Sequence, residues 1–265
     1  MYFKGARTSG MIKLTGEQAE ALGQFRLARN SGESSPLTIK VENLLDSSQT
    51  SAYLKEVKNH LGAPDNKTAA SILIKRYAFL PVIYLYCMTS WNVKLDIRHE
   101  NITFVSQERD GLWLPVFRFD SLQGQGAGTD RDQWREDAVR TLFNGHIFQV
   151  INRIAGEAKV SKLILWENIA IYLFWLYEKI LPLETHSERA AEDYRFILEE
   201  APGNLFGDEN TNPLKKFDNR KILSENTGEM VRPRKTCCYS YLTSSGKRCG
   251  TCPLSCTSKR RIPDE

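Results

Sequence analysis

The chain has 265 residues, of which 41% are hydrophobic and 26% charged, the balance of an ordinary soluble globular protein. Its length suits one large domain or two modest ones, with enough residues to bury a sizeable core. The net charge of +4 is too small to indicate nucleic-acid binding by itself.

The sequence indicates neither a secretory signal nor a membrane span. The first residues, MYFKGARTSGMIK, lack the apolar core and the small-residue cleavage site of a signal peptide. Two apolar segments, 70–91 and 162–181, carry more polar residues than a spanning helix, which needs about 20 mostly apolar residues with few charges. The interrupting residues are Lys75, Arg76 and Pro81 in the first segment and Glu167, Asn168, Glu178 and Lys179 in the second. We therefore expect two buried core helices and no transmembrane segment.

Three helices are predicted in the first third of the chain, at 17–28, 48–61 and 67–91. Gly62 and Pro64 follow the second helix and form a stop signal. The third helix is long and mostly buried, with a kink expected at Pro81 because proline cannot donate a backbone hydrogen bond. After it, the stretches ITFVSQ and LWLPVFRF flank ERDG and predict a β-hairpin.

The second half of the chain is predicted to be mainly helical. GQGAG at 124–128 lacks the third glycine of a dinucleotide-binding loop, so we expect a flexible loop or a helix entry. Thr129 and Asp132 resemble a capping box, and apolar residues at helical spacing continue to Ala158. Further helices are predicted at 162–181 and 187–201; Glu167 and Asn168 in the first either face a pocket or mark its wet edge.

The segment 202–233 is rich in Gly, Asn, Asp and Lys and is predicted to be a linker with little structure of its own. The predicted architecture is therefore α+β. A mainly helical domain with a small antiparallel sheet spans 1–201, and the linker joins it to a C-terminal cysteine-rich segment at 234–265.

Five of the six cysteines lie within the last thirty residues. A secreted disulfide framework is normally spread over a small chain that has a signal peptide, so this clustering favours a cytoplasmic location and a bound metal. Cys87 is separate from the cluster and lies in an apolar helix, where it is expected to be a small buried hydrophobic residue.

The clustered cysteines have an unusual spacing, Cys237-Cys238-x10-Cys249-x2-Cys252. Cys249 and Cys252 form a C-x2-C turn that can direct both thiolates at one metal. Adjacent side chains diverge, so holding one tetrahedral ion with both Cys237 and Cys238 would strain the backbone. A two-iron cluster relieves this strain because its irons are separate centres. The spacing therefore favours a 2Fe–2S cluster over a single zinc without deciding between them. Cys256 is expected to be a spare or structural thiol, and a role as a metal ligand is the minor alternative.

This motif, with its flanking RKTCC and CGTCP, resembles the C-terminal signature of the FhuF-like ferric siderophore reductases. The resemblance implies a 2Fe–2S cluster on Cys237, Cys238, Cys249 and Cys252, with no catalytic residue beyond these ligands. It also implies a one-electron transfer to Fe(III) in a siderophore chelate that releases Fe(II). The motif is specific because a vicinal pair combined with this spacing is unusual.

An upstream stretch, LDIRHENITFVSQERDGLWLPVFRFD, is similar to part of the C-terminal domain of IucA/IucC-type siderophore synthetases. The resemblance implies that 1–201 is a siderophore-binding domain whose cleft is lined by His99, Asn101, Arg118 and Asp120. Structural roles for the same four residues are the alternative. In the synthetases the matching residues hold ATP and magnesium, but the pattern here is broken after His99 and by Phe119. An ATP-dependent synthetase-like ligase is therefore an alternative function.

Basic residues surround the cysteines, and no acidic residue occurs from 231 to 263. They are Arg232, Arg234, Lys235, Lys247, Arg248, Lys259, Arg260 and Arg261. Nearby cations stabilise the negative charge that reduction adds to a cluster, and they attract an anionic chelate or an acidic electron-donor protein such as a ferredoxin or flavodoxin. Lys247 and Arg248 are candidate substrate contacts, and zinc-finger spacings with paired histidines are absent, which argues against nucleic acid.

The expected substrate is a ferric siderophore of the hydroxamate or citrate-hydroxamate type. The hard oxygens of such chelators prefer ferric iron, and the preference weakens when one electron makes the metal softer. A second alternative is a zinc-stabilised binding module, which would use the same thiolates without redox chemistry.

Overall fold

A computed structural model describes residues 10–28, 35–184, 187–223 and 228–256. Its helices are α1 (Gly16–Ala21), α2 (Ser47–Leu61), α3 (Asn66–Tyr77), α4 (Phe79–Trp91), α5 (Arg131–Leu142), α6 (Phe148–Ala158), α7 (Lys162–Trp175), α8 (Ser187–Arg195) and α9 (Pro253–Cys256). Its strands are β1 (Met11–Lys13), β2 (Ile39–Lys40), β3 (Val93–Leu95), β4 (Ile102–Val105), β5 (Glu108–Arg109), β6 (Leu112–Trp113), β7 (Val116–Phe119), β8 (Gln123–Gly126), β9 (Ile222–Leu223) and β10 (Met230–Val231). This arrangement confirms the α+β class.

The centre of the fold is built from α3 and α4, which occupy the stretch predicted as one long helix. The helical run breaks at Ala78 rather than at Pro81 itself. Pro81 has no N–H to offer the carbonyl of Tyr77, so the break falls one turn before the proline. Of the described residues, 66–91 is the one stretch long and apolar enough to cross a membrane, and 89% of its most apolar window is buried inside the protein. It therefore packs as a core helix pair.

One antiparallel sheet has the strand order β2-β4-β7. Ile102 lies opposite Phe119 and Val105 opposite Val116, so the two stretches of the predicted hairpin do pair. The hairpin narrows to β5 and β6, which are joined by Asp110 and Gly111. Both turn residues have positive φ, 53° and 69°, the geometry of the type I′ turns that Asp-Gly favours.

A second antiparallel sheet has the order β1-β8-β3, and its central strand is the glycine-rich stretch expected to be a loop or helix entry. Glycine is needed in this strand because the backbone of the neighbouring strand β3 comes unusually close to Gly124. A Cβ at Gly124 would lie 2.8 Å from the carbonyl carbon of Lys94. The helix that follows is capped by Asp130, whose carboxylate accepts from Gln133 N at 3.0 Å, and not by the predicted box that starts at Thr129.

Replacing Gly124 with alanine is expected to lower the free energy of unfolding by about 1–3 kcal/mol, since the new methyl group would displace the backbone of β3. The measurement is urea unfolding followed by circular dichroism. Gly128→Ala is the matched control, because no atom lies within 4 Å of a Cβ at that position. Equal losses for the two variants would contradict the close-approach explanation.

Three of the predicted helices contain a π turn that the spacing of apolar residues did not indicate. The turns lie at Phe143–Ile147, Leu176–Ile180 and Phe196–Glu200. The first of them joins α5 to α6 and places His146 in the protein interior. Such single wide turns are often associated with functional sites.

The stretch predicted as a linker, 202–233, differs from expectation in its first half. It forms short 3₁₀ turns at Gly203–Phe206 and Lys215–Phe217. The apolar residues that it buries in the main core are Leu205, Phe206, Leu214 and Phe217. Asn212 is buried beside them and donates to the carbonyl of Ile197 at 2.7 Å. A polar composition with a few well-placed apolar residues is thus compatible with a packed segment, and the division into domains stays a prediction.

Candidate metal centre

The cysteine segment, which we call the cysteine lobe (residues 234–256), rests on α3 and α7. Ser71 Oγ on α3 donates to the carbonyl of Cys238 at 2.9 Å. On α7, the Glu167 carboxylate accepts from the backbone N–H groups of Lys235, at 2.6 Å, and Thr236, at 2.9 Å. A further backbone bond runs from Ser244 N to Leu61 O at 2.9 Å. The lobe is therefore docked on the helical body through its own main chain.

The lobe gathers the four predicted ligand thiols. Cys238 and Cys252 are buried, while Cys237 and Cys249 are half-buried, and all four are free thiols. The sulfurs of Cys238 and Cys249 are 3.6 Å apart, much longer than the 2.0–2.1 Å of a disulfide. Cys237 Sγ accepts from the N–H of Tyr239 at 3.3 Å. Cys238 and Cys249 are therefore free thiols in contact, and Cys237 and Cys252 lie in the same short lobe.

The described part of the chain holds no group of three cysteine, histidine or carboxylate side chains close enough to ligate one metal ion together. The contact between Cys238 and Cys249 is instead a pair of thiols. A 2Fe–2S cluster takes its four thiolates on two separate irons. The paired arrangement is thus compatible with such a cluster.

The electrostatic surroundings of Cys238 favour its thiolate, the form that binds metals. The sulfur contact with Cys249 lowers the pKa of Cys238 most, and the positive charges of Lys75 and Arg234 lower it further, while burial acts in the opposite direction. The pKa of its partner, Cys249, shifts in the opposite direction. Donation to the sulfur of Cys238, together with burial, raises the pKa of Cys249.

A buried ion pair lies beneath the thiols. The side chain of Arg234 is fully buried, and its Nη2 is 3.3 Å from a carboxylate oxygen of Glu167, which is also buried. Arg234 Nε donates to the carbonyl of Thr236, but neither terminal nitrogen has a hydrogen-bond partner among the described residues. Unpartnered N–H groups near four thiols suit a group that carries sulfur acceptors, because hydrogen bonds to sulfur are typical of iron–sulfur clusters. The donor set of the lobe therefore fits a 2Fe–2S cluster.

An open cleft of about 530 Å³ lies on the helical body. Its lining residues are Ile97, Arg98, His99, Glu100, Arg140, Thr141, Asn144, Gly145 and His146. The rings of His99 and His146 stack with their centroids 4.2 Å apart. His146 is buried between Ile97 O, 2.7 Å from Nδ1, and Tyr77 Oη, 2.6 Å from Nε2. Because the carbonyl can only accept, Nδ1 carries the proton and Nε2 accepts from the tyrosine.

The buried His146 is expected to make the protein sensitive to acid. Burial lowers the pKa of His146 from 6.5 to about 3, and the adjacent His99 adds to this effect. As the pH falls, the unfolded chain therefore binds a proton before the folded one does. The stabilising contribution of the neutral ring is complete above about pH 6.5 and is lost toward pH 3, by about 3 kcal/mol between pH 7 and pH 4.

Urea unfolding at a series of pH values measures this contribution. His146→Gln should flatten the fall in the free energy of unfolding over this range. Asn59→Gln, which alters an exposed side chain of α2 that does not titrate, is the control and should keep the slope of the unaltered protein. An identical slope for all three proteins would contradict the assignment.

Of the four predicted substrate residues, His99 and Asn101 share one turn, and the N–H of Asp120 donates to the carbonyl of Asn101 at 2.9 Å. Only His99 lines the cleft, and its Nε2 is buried without a hydrogen-bond partner among the described residues. Asn101 is buried and its side chain bonds the backbone of Ser121 and Asp96, which holds the turn before β4. These bonds use the amide nitrogen and the amide oxygen of Asn101. Asn101 therefore has a structural role in this turn, and its contact with substrate stays a prediction.

Arg118 and Asp120 lie on the sheet and point to different partners. Arg118 Nη2 is 3.4 Å from Thr103 Oγ1, while Asp120 is exposed and pairs with Lys40 at 2.5 Å. The ATP-dependent ligase stays an alternative function.

Other predicted contacts lie on the surface of the lobe. Lys247 and Arg248 are exposed, consistent with a role in contacting a partner or chelate, which stays a prediction. The predicted basic residues at 259–261 lie outside the described residues. Cys256 is half-buried in α9, and Cys87 is fully buried in α4 as expected.

Sequence reasoning missed the roles of Lys75 and His146 and left that of Glu167 open. Lys75 Nζ lies 3.8 Å from Cys238 Sγ, although the two residues are 163 positions apart. Glu167 holds the cysteine lobe, and His146 stacks on His99. The one signal available for Lys75 and Glu167 was a charge in an otherwise apolar helical run, which often marks a buried polar contact.

Comparison with known families agrees with this geometry. The model of the family described as "Ferric iron reductase FhuF-like transporter" matches residues 71–223, more than half of the chain. The model described as "FhuF 2Fe-2S C-terminal domain" matches residues 234–254, which include the four predicted ligand thiols but not Cys256. No curated protein matches the chain. The chain therefore belongs to the FhuF-like ferric iron reductase family and carries that family's 2Fe–2S C-terminal domain.

Proposed function

We propose that this protein is a cytoplasmic reductase of ferric siderophores that binds its 2Fe–2S cluster through Cys237, Cys238, Cys249 and Cys252. The observation that carries the proposal is the docking of these four thiols, within the 2Fe–2S domain, on the body of a ferric reductase fold. When bound, the cluster supplies single electrons. The thiol cluster also favours a compartment that keeps cysteines reduced.

The substrate of the proposed reaction is Fe(III) held by hydroxamate or citrate-hydroxamate oxygens. One electron converts Fe(III) to Fe(II), no bond to the chelator need be formed, and the hard oxygens hold Fe(II) less strongly. The iron then leaves while the chelator stays intact. The chain therefore needs to hold the ferric chelate close to the electron-donating cluster.

The cleft beside His99 is the proposed chelate site. The ring of His99 lines the cleft, and its Nε2 is buried there without a partner among the described residues. A rotation of the ring toward the cleft would let this nitrogen hydrogen-bond a chelate oxygen. Arg98 and Arg140 line the same cleft, where Arg98 pairs with Asp96 at 2.8 Å and Arg140 with Glu136 at 2.5 Å. Each guanidinium group keeps further N–H donors, which suit carboxylate oxygens. A citrate-containing chelate would gain most from these two side chains.

The exposed surface of the cysteine lobe is the proposed docking site of the electron donor. Lys235, Lys247 and Arg248 are exposed there, and the sequence has no acidic residue between 231 and 263. Opposite charge accelerates encounter and orients the partner. The proposed donor is therefore an acidic protein such as a ferredoxin or flavodoxin.

The test uses the full chain purified without oxygen. Its visible spectrum, iron and sulfide are measured, and the chemically reduced protein is then mixed with ferric hydroxamate and a ferrous-iron trap. We expect about two irons and two sulfides per chain, with reoxidation as trapped Fe(II) appears. A colourless protein that holds only zinc would instead support the zinc-stabilised binding module, and a reducible cluster that ignores every ferric chelate would refute the reductase.

The chelate site has its own test. His99→Ala should raise by about tenfold the ferric chelate concentration at which reoxidation is half-maximal, because a hydrogen bond to a charged oxygen contributes about 1.5 kcal/mol. Its visible spectrum should not change, since His99 lines the cleft and not the cysteine lobe. His60→Ala, at an exposed position on α2, is the control. Equal concentrations for both variants would place the chelate elsewhere.

A further inference from the structure

Lys75 joins the helical body to a thiol of the proposed metal centre. It lies half-buried on α3, with Nζ 3.8 Å from Cys238 Sγ. Ser71, one helical turn earlier on the same face, donates to the carbonyl of Cys238 at 2.9 Å. Asn168 on α7 donates in turn to Ser71 Oγ at 3.0 Å and to its carbonyl at 2.8 Å. Ser71 and Lys75, on one face of α3, therefore both contact Cys238, and Asn168 on α7 holds Ser71 in place.

The charge of Lys75 is not balanced by a neighbouring acid. Of the two cations whose charge acts on Cys238, Arg234 is paired with the buried carboxylate of Glu167. Lys75 has no carboxylate within ion-pair distance among the described residues. Because the site is half-buried, its charge acts on the sulfur with less screening than a surface charge would. Lys75 therefore supplies the net positive charge at this sulfur.

We infer that Lys75 is a positioning residue that raises the reduction potential of the 2Fe–2S centre through its N–H donation to the sulfur of Cys238. Reduction adds one electron, and so one negative charge, to the centre. A fixed cation beside a ligand sulfur stabilises the reduced form more than the oxidised form. The inference rests on Cys238 as a ligand in the proposed function, but it does not require that a ferric chelate be the electron acceptor.

The experiment is a redox titration of the cluster-loaded full chain, followed by visible absorption. Lys75→Met should lower the equilibrium constant of one-electron reduction by about tenfold, a shift of about 59 mV to more negative potential. Lys75→Arg keeps the charge and the donors and should restore most of the potential. Lys67→Met is the matched control, because Lys67 is an exposed lysine of the same helix, about 12 Å away along its axis.

The outcomes distinguish the role of Lys75 from the ligand role of Cys238 and from the proposed ferric substrate. An unchanged potential in loaded Lys75→Met, or an equal shift in Lys67→Met, would overturn it. If the methionine variant loads poorly, the titration still reads only chains that hold a cluster, and Lys75→Gln provides a second uncharged variant that should show the same negative shift. A Cys238→Ser protein that keeps its full iron would refute the ligand assignment. A failure to reduce ferric chelates would refute the proposed substrate and leave the potential as the test of Lys75.

Discussion

Replacing Cys238 with serine is expected to remove most of the cluster from the purified protein. Cys238 is only 3% exposed, and its sulfur touches both Cys249 and Lys75. A serine hydroxyl at this position is a harder and far less acidic ligand than a thiolate, so it binds iron–sulfur irons poorly. Iron and sulfide per chain should fall by more than half, with the visible absorption falling in proportion.

Two other cysteines provide matched controls for this substitution. Cys256 lies beyond the matched 2Fe–2S domain, and Cys87 is buried in α4 away from the lobe. Cys256→Ser and Cys87→Ala should keep the spectrum and the metal content of the unaltered protein. A Cys238→Ser protein with full iron, or a Cys256→Ser protein without it, would show that the ligand set is different.

Replacing Glu167 with glutamine is expected to lower the free energy of unfolding by about 3–5 kcal/mol, the loss typical of breaking a buried ion pair. Glu167 is 1% exposed and pairs with the fully buried side chain of Arg234. The substitution leaves that guanidinium charge without a counter-ion. The two carboxylate oxygens accept from the backbone N–H groups of Lys235 and Thr236, and the substitution replaces one of these oxygens with an NH2 group that can only donate.

Chemical unfolding and limited proteolysis together measure this effect. The cysteine lobe should become cleavable in Glu167→Gln under conditions in which the unaltered protein resists, because the lobe loses its contacts with α7. Glu136→Gln is the control. Glu136 pairs with Arg140 on the exposed surface of α5, and such pairs contribute about 0–1 kcal/mol. Similar losses for the two variants would contradict the role assigned to Glu167.

The sequence was most informative where a pattern is local. The stop signal at Gly62 is confirmed by a left-handed residue with φ of 57° that ends α2, and the Asp-Gly turn is confirmed in the β-hairpin. The resemblance carried by the thiol motif predicted the family and its 2Fe–2S cofactor, and the family comparisons confirm both. The motif itself lies within one short segment. These features are decided by neighbours along the chain.

The misassigned features depend on distant partners. Gly124 sits in a strand because the backbone at Lys94 packs against it, and composition alone cannot indicate that approach. Phe206 and Phe217 are core residues inside a polar stretch, where average composition outweighs single apolar positions. The contact of Lys75 with Cys238 joins residues 163 positions apart, so no motif contains both.

The cysteine lobe is held on the helical body mainly through its own main chain, so substitutions of its outward side chains leave this anchoring intact. The lobe side of its contacts with Glu167, Ser71 and Leu61 consists largely of backbone groups, which remain whatever side chains the lobe carries. The outward side chains at Lys235 and Lys247 are therefore uncoupled from the anchoring of the lobe. Substitutions there can accumulate while the thiols keep their place on the helical body, so the surface proposed to meet a redox protein can change independently of the metal centre.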